Sequence, residues 1–187
     1  ALAQAHETRA RLMAVHDLPA EAFEIVVIRT TGDRITDRPL KEIGGKGLFT
    51  REIEEALSAG RIDIAVHSMK DVETLRPEAI AIAAILPRAD KADRLLGAES
   101  IAAIPAGARI GTSAPRRAAQ LLHLRPDLTV VGIRGNVATR MAKLEAGEAD
   151  ATFLAAAGLD RLGEDSVGVR LDPAEWLPAP AQAAIGI

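Results

Sequence analysis

Helix and strand patterns alternate along most of this 187-residue chain. Apolar residues recur at helical spacing in five segments, which predicts helices over residues 1–16, 48–59, 115–124, 137–146 and 157–162. Short runs of β-branched and apolar residues predict strands over residues 23–29, 62–66, 79–86, 109–111, 128–133 and 151–155. Strands that alternate with helices form parallel βαβ units, with helices on both faces of the sheet. We therefore expect an α/β fold with mainly parallel sheets.

A polar segment in the middle of the chain predicts a boundary between two lobes. Residues 87–94 begin with a proline and are mostly charged, and the strand–helix alternation resumes after them. A proline-rich stretch over 172–180 then leads into a last apolar run. We interpret that stretch as a second crossover, which returns the chain to the first lobe. The predicted domains are residues 1–86 plus 184–187, and residues 92–177.

Composition argues against several classes of function. The formal net charge is −3, and the sequence has three Phe, one Trp and no Tyr. Nucleic-acid binders usually carry a basic excess and stacking aromatic residues, so we expect no nucleic-acid partner. No apolar run approaches the ~20 residues of a membrane span, so we expect no membrane partner. The sequence has no cysteine, and its four histidines show no metal-ligand spacing, so we expect no metal.

Two junctions in the first lobe carry candidate site residues. Gly44–Gly47 precedes the predicted helix 48–59, and its backbone amides together with Lys46 could hold an anion. The alternative is a flexible loop with a solvated lysine. His67–Asp71 follows the predicted strand 62–66, where the carboxylate and Lys70 could shift each other's proton affinity. The alternative there is a surface turn with an ordinary ion pair.

Arginines mark the corresponding junctions of the second lobe. Arg116 and Arg117 fall in the first turn of the predicted helix 115–124, where positive charge opposes the helix dipole. An anionic ligand would make that placement favourable; the alternative is that both side chains reach into water. Arg134 and Arg140 repeat the pattern at the next junction, and Arg161 lies in the last short helix. Because guanidinium groups bind carboxylates in a bidentate fashion, the set predicts a ligand with several carboxylates.

Five blocks resemble the signature motifs of the porphobilinogen deaminase family, in the family's order and spacing. They are Gly-Gly-Lys-Gly-Leu-Phe (44–49), His-Ser-Met-Lys-Asp-Val (67–72), Gly-Thr-Ser-x-x-Arg-Arg (111–117), Arg-Gly-Asn-Val-x-Thr-Arg (134–140) and Ala-Gly-Leu-x-Arg-Leu-Gly (157–163). Leu-Pro-Ala-Pro-Ala-Gln (177–182) resembles the family's second crossover. The resemblance covers essentially the whole chain.

The resemblance implies a fold and an activity. The family fold has two periplasmic-binding-protein-like (type II) lobes, joined by two crossover segments, and a third, smaller domain. The family's enzymes are hydroxymethylbilane synthases: they join four porphobilinogen molecules head to tail and release ammonia at each step. A dipyrromethane cofactor, attached to a cysteine of the third domain, primes the chain. A cytoplasmic monomer is implied as well.

The resemblance also implies residue roles. Asp71 would be the catalytic carboxylate, assisted by Lys70. Cofactor-binding residues would be Lys46, Ser68, Asp71, Thr112, Ser113, Arg116, Arg117, Arg134 and Gly135. Substrate-binding residues would be Arg134, Arg140, Arg161 and Gln182.

Several departures from the family pattern modify these expectations. We expect that both termini are cut, so that the amino-terminal strand and the third domain with its cysteine are missing and the fragment is inactive. Ala114 stands where a hydroxyl residue is usual, Glu73 where proline is usual, and Ala183 where glycine is usual. An alanine at 183 is strained if that position needs a positive φ.

Two other functions are alternatives to the enzyme. A non-catalytic, two-lobed module could use the arginines to hold a polycarboxylate. A phosphate- or nucleotide-binding domain is disfavoured, because Gly47 follows Lys46 where a P-loop has Ser or Thr.

Overall fold

Two units make up the computed structural model, which describes residues 2–35 and 47–187. Backbone contacts group Ala1–Ala89 with Ala181–Ile187 as unit 1, and Asp90–Pro180 as unit 2. The chain therefore passes from one unit to the other twice, once near residue 90 and once near residue 180. Each unit is described by itself below.

Unit 1 begins with helices. Helix α1 spans Leu2–His16, as the sequence pattern predicts. Helix α2 is a single turn, Thr31–Arg34, which begins at a capping box: Thr30 accepts from the Asp33 backbone N–H, and the Asp33 carboxylate accepts from that of Thr30. Helix α3 spans Arg51–Ser58. It begins three residues later than predicted, because residues 48–50 form a turn after Gly47, whose φ is +72°.

The strands of unit 1 differ from the prediction. Strand β1, His67–Ser68, pairs antiparallel with β7, Ile185–Gly186, and Ile85 forms a bridge to Gly186. The predictions of strands over 23–29 and 62–66 are wrong, because neither segment pairs with another strand. Of the predicted strand 79–86, only the bridge at Ile85 is present. A strand needs a neighbour for its backbone hydrogen bonds, and the described residues offer none to 23–29. Val26 and Val27 are consequently exposed and belong to no helix or strand.

Unit 2 is built on a five-stranded mixed sheet in the order β4-β3-β5-β2-β6. The strands are β2 Asp93–Leu96, β3 Arg109–Gly111, β4 Thr129–Val131, β5 Ala151–Ala155 and β6 Val169–Arg170. Strand β3 pairs in parallel with β4 and β5, whereas β2 pairs antiparallel with β5 and β6. The expectation of a mainly parallel sheet holds for three strands only. The sequence analysis assigned Asp93 and Arg94 to a linker, which is wrong because both lie in β2.

Helices and an aromatic pair complete unit 2. Helix α4 spans Pro115–Leu124 and α5 spans Val137–Glu145, both close to prediction, and α6 spans Ala156–Asp160. Buried residues from the strands, from α4 and from connecting segments form the core, which includes Leu95, Ile110, Leu121, Phe153 and Trp176. The rings of Phe153 and Trp176 stack with centroids 4.6 Å apart. The loops after β3 and β4 thus extend from a sheet that packs against a hydrophobic core.

Among residues 2–35 and 47–187, no helix combines the length and the apolar character that crossing a lipid bilayer requires.

Candidate functional site

In unit 1, pairing between β1 and β7 fixes the backbone that precedes the predicted acid. His67 lies opposite Gly186, and the Met69 N–H donates to the Ala184 carbonyl at 3.0 Å. A Cβ at Gly186 would lie 2.4 Å from the Met69 sulfur, so only glycine allows this close approach. A 3₁₀ turn over Met69–Asp71 follows directly. The turn carries Lys70 and Asp71, and Ser68 is half-buried in β1 just before it.

Asp71 lines an open cavity of about 520 Å³, together with residues 47–49 and 72–75. The side chain remains accessible to solvent, but the surrounding protein removes part of its hydration and raises its pKa. The positive charge of Lys70 opposes that rise, as does that of His67 when its imidazole is protonated. A carboxyl group in a concave site whose pKa is raised by burial is a candidate for proton transfer.

His67 is the histidine nearest to this acid in sequence. Burial lowers the pKa of its imidazole, although the charge of Asp71 acts in the opposite direction. Its Nε2 atom is buried and has no hydrogen-bond partner among the described residues. A neutral imidazole is therefore favoured at pH 7, whereas the sequence analysis assigned His67 no specific role.

Lys46 lies outside the described residues, together with Gly44 and Gly45. Its predicted role as an anion-binding residue stays a prediction. Gly47, the next residue that the structure describes, lines the cavity that contains Asp71.

In unit 2, the loop after β3 carries two predicted hydroxyl groups. Thr112 is buried, and its Oγ1 accepts from the Ala114 N–H at 3.1 Å. Ser113 is exposed, and its Oγ donates to the Ile133 carbonyl at 3.0 Å. Both hydroxyls contact backbone: that of Thr112 stays within the loop after β3, and that of Ser113 joins this loop to the start of the loop after β4.

Arg116 and Arg117 both contact a buried carboxylate that the sequence analysis missed. Arg117 binds Asp93 through two nitrogens, Nε to Oδ2 at 3.0 Å and Nη2 to Oδ1 at 2.7 Å. The Nη2 of Arg116 donates to Asp93 Oδ2 at 2.8 Å. Neither arginine simply reaches into water, and Arg117 is 5% exposed. Burial alone would raise the pKa of Asp93, but the hydrogen bonds and charges of both arginines hold it well below its ordinary range.

The loop after β4 holds the next pair of arginines. Asn136 caps α5 by accepting from the Thr139 N–H at 2.8 Å. Gly135 has φ +115°, and its carbonyl accepts from Arg140 Nε at 2.9 Å. Burial lowers the pKa of Arg140, and the charges of Arg117 and Arg134 lower it further. The guanidinium groups of Arg117 and Arg134 therefore each lie close enough to that of Arg140 to repel it.

The remaining predicted residues lie elsewhere. Arg161 is half-buried at the carboxyl end of α6, and its backbone N–H donates to the Ala157 carbonyl. Gln182 belongs to unit 1 and is 1% exposed. Its backbone carbonyl accepts a hydrogen bond from Arg88 Nε at 3.0 Å. Within the described ranges, no cluster of three or more His, Asp or Glu side chains could hold a metal ion.

Asp93 is the clearest residue that sequence reasoning missed. The charged residues around it favoured a linker, yet the Leu95-Leu96 pair that follows is typical of a buried strand. An acidic residue at the start of such a strand, with arginines at the next strand end, was the signal available.

Fold and site together define an α/β protein that combines an acid after a short strand with clustered arginines suited to carboxylates. The family model described as "Porphobilinogen deaminase, dipyromethane cofactor binding domain" matches residues 1–187. The chain belongs to this family. It is 61% identical over 190 residues to a porphobilinogen deaminase of Paracoccus denitrificans (strain Pd 1222). It is 59% identical over 192 residues to one of Sphingopyxis alaskensis (strain DSM 13593 / LMG 18877 / RB2256).

These alignments cover the chain and its relatives to different extents. Each takes in 100% of this chain and 61% of the relative. The chain thus spans about three fifths of the length of the curated relatives it matches.

Proposed function

We propose that this chain is the cofactor- and substrate-binding part of a hydroxymethylbilane synthase. That enzyme condenses four porphobilinogen molecules head to tail, with loss of ammonia at each step, to a linear tetrapyrrole. The observation that carries the proposal is the arginine cluster of unit 2, in which burial lowers the pKa of Arg140 and the charges of Arg117 and Arg134 lower it further. Mutual repulsion of this kind is relieved by a bound anion, and porphobilinogen carries an acetate and a propionate group.

The same cluster fits a dipyrromethane, which carries four carboxylates. Arg134 and Arg140 would hold carboxylates, and the exposed Ser113 would contribute its hydroxyl. The group supplies a primer to which porphobilinogen units are added. The sequence has no cysteine, so these residues would bind the group without attaching it covalently.

Asp71 would act on the departing ammonia and on the charge left behind. Loss of ammonia leaves positive charge on the pyrrole, which a nearby carboxylate stabilises. The carboxylate can also accept a hydrogen bond from the pyrrole N–H. Burial raises its pKa, which makes it a better proton acceptor than an ordinary aspartate, and the charge of Lys70 opposes that rise.

The finer architecture belongs to the same proposal. The two units would be lobes of the type II periplasmic-binding-protein kind, with domains at residues 1–86 plus 184–187 and 92–177. The two passages of the chain between the units support this assignment. A monomeric state and a cytoplasmic location follow from the family resemblance alone.

Ammonia release from porphobilinogen by the full-length protein tests the proposal. We expect the wild-type protein to release ammonia and Asp71→Asn to lose ~10²–10⁴-fold in rate. Asp63→Asn, at an exposed aspartate of the same unit, is the matched control and should retain full activity.

A different result would favour the second candidate, a non-catalytic polycarboxylate-binding module. The arginine cluster of unit 2 by itself supports such binding. Binding of porphobilinogen with no ammonia release and no dipyrromethane in the intact mass of the wild-type protein would establish the module and exclude the enzyme.

A further inference from the structure

We propose that Asp93 is a positioning residue, which orients Arg116 and Arg117 so that the arginine cluster can bind the carboxylates of its ligand. The inference rests on the proposed function and adds to it a buried anion that the ligand does not touch. Asp93 is 0% exposed, so it acts on the ligand only through the arginines.

The geometry around Asp93 fixes the direction of both guanidinium groups. Arg117 forms a fork on the two carboxylate oxygens, and its Nη1 donates to the Phe153 carbonyl at 2.8 Å. Arg116 shares Oδ2 through Nη2, and its Nη1 contacts the Leu177 carbonyl. A planar guanidinium with both edges bound has little freedom left to rotate.

Trp176 holds the carboxylate from a third direction. Its indole Nε1 donates to Asp93 Oδ2 at 3.0 Å, and its ring stacks on Phe153. Strand β2, which carries Asp93, is paired on both sides by β5 and β6. The carboxylate is therefore an anchor fixed by the core of unit 2, and the arginines of α4 are aligned on it.

Charge gives Asp93 a second effect on the cluster. Arg116 and Arg117 are adjacent in the first turn of α4, and Arg117 also acts on Arg140. Without a buried carboxylate, repulsion would drive these side chains apart and toward solvent. Asp93 thus keeps a dense positive cluster together before any ligand is bound.

Substitution of Asp93 should change anion affinity in the direction opposite to that expected from charge alone. Removal of a negative charge near an anion site ordinarily tightens anion binding. If Asp93 is a positioning residue, Asp93→Asn weakens binding, because amide groups cannot hold two guanidinium groups as a carboxylate does. The matched control is Asp127→Asn, which removes another arginine-bound carboxylate of unit 2, paired with Arg125 at 2.7 Å.

The experiment uses the full-length protein and two readouts. We expect Asp93→Asn to raise KM for porphobilinogen about tenfold, with kcat changed by no more than about threefold. We also expect a smaller fraction of the purified protein to carry dipyrromethane, measured by intact mass. Asp127→Asn should match wild type in both. An unchanged or lower KM in a folded Asp93→Asn protein would overturn the proposal.

Trp176→Phe keeps the test decisive if Asp93→Asn does not fold. This variant retains an aromatic ring against Phe153, and it removes the indole N–H donor together with part of the buried ring system. We expect KM to rise about threefold at unchanged kcat, in keeping with the loss of one hydrogen bond. An unchanged KM would contradict the positioning role. A wild-type protein that neither releases ammonia nor carries dipyrromethane would instead refute the proposed function itself.

Discussion

Ala183 has a backbone conformation that L-residues avoid. Its φ is +70°, in the left-handed region, and the residue is buried next to the β7 strand that pairs with β1. The sequence analysis noted alanine where the family usually has glycine and expected strain if φ were positive. The structure confirms that condition. The strain is borne by the segment that supports the Asp71 turn.

Replacement of this alanine should stabilise the chain. We expect Ala183→Gly to raise the free energy of unfolding by about 1 kcal/mol, because glycine adopts positive φ without a Cβ clash. Urea unfolding followed by circular dichroism measures the change. The neighbouring buried Ala184 has no positive φ, so Ala184→Gly is the control and should destabilise. Equal effects of the two substitutions would show that φ is not the cause.

Asp71 should make stability depend on pH in a defined direction. Its pKa is raised in the folded state, above the ~3.9 of an unperturbed aspartate. The folded state then binds more protons than the unfolded state between the two pKa values, and stability falls as pH rises through that window. Asp71→Asn cannot ionise, so we expect a higher melting temperature than wild type at pH 7.

Thermal unfolding at several pH values checks this expectation. The difference between Asp71→Asn and wild type should shrink toward zero as pH falls below about 4. A variant less stable than wild type at pH 7 would contradict the raised pKa. Together with lost activity, the expected result would identify Asp71 as a residue kept for chemistry at some cost in stability.

At the scale of elements, helices α4 and α5 begin in different ways. Asn136 caps α5 with its side chain, whereas Ala114 at the N-cap of α4 has no side-chain oxygen to offer. We expect Asn136→Ala to cost about 1 kcal/mol and Ala114→Ser to gain up to ~1 kcal/mol. Differential scanning calorimetry of the two variants measures both changes. A destabilising Ala114→Ser would show that the extended N-cap backbone of α4 does not allow a serine cap.

Helices were predicted from sequence more accurately than strands. Helix α4 matches its predicted bounds because Pro115 at its first position and the apolar stripe behind it are local signals. The segment 23–29 has equally clear local signals, rich in Val and Ile, and yet forms no ladder. A strand is completed by a partner distant in sequence, which its own residues do not specify.

At the scale of the whole molecule, the hydrophobic core is unevenly divided. The two clusters of buried apolar residues both belong to unit 2, with Ile110, Leu121 and Phe153 in one and Leu154 and Leu159 in the other. In the described part of unit 1, buried apolar side chains are few: Ala56, Ala183, Ala184 and Ile185. From the described residues we therefore expect unit 2 to be the more stable of the two units.

Amide hydrogen exchange should reveal this division. We expect peptides covering β3 and β5 to exchange slowest, because their amides are paired in the centre of the sheet. Peptides covering 23–29 and 62–66 should exchange within seconds to minutes, since these residues form no strand ladder. Mass spectrometry after timed labelling measures the rates. Equal protection in the two units would contradict the uneven core.

The candidate site was predictable to the extent that it consists of local motifs. The junctions at Asp71, Arg117 and Arg140 were selected because charged side chains that follow predicted strands are visible in sequence, and their roles stay predictions. The ion pair of Arg117 with Asp93 was not, because it joins residues separated by 24 positions and depends on the mixed sheet order. Long-range pairing of opposite charges in a core is a property of the assembled sheet.

Trp176 provides a natural optical reporter of this cluster. It is the one tryptophan of a sequence that has no tyrosine, so ultraviolet emission excited at 295 nm arises from a single indole. The same indole donates its N–H to Asp93, whose carboxylate also accepts hydrogen bonds from Arg116 and Arg117. If a polycarboxylate binds the arginine cluster as proposed, we expect it to alter the electric field at the indole and to shift its emission. Ligand titrations can therefore be followed in unlabelled protein, with the signal originating beside the arginines.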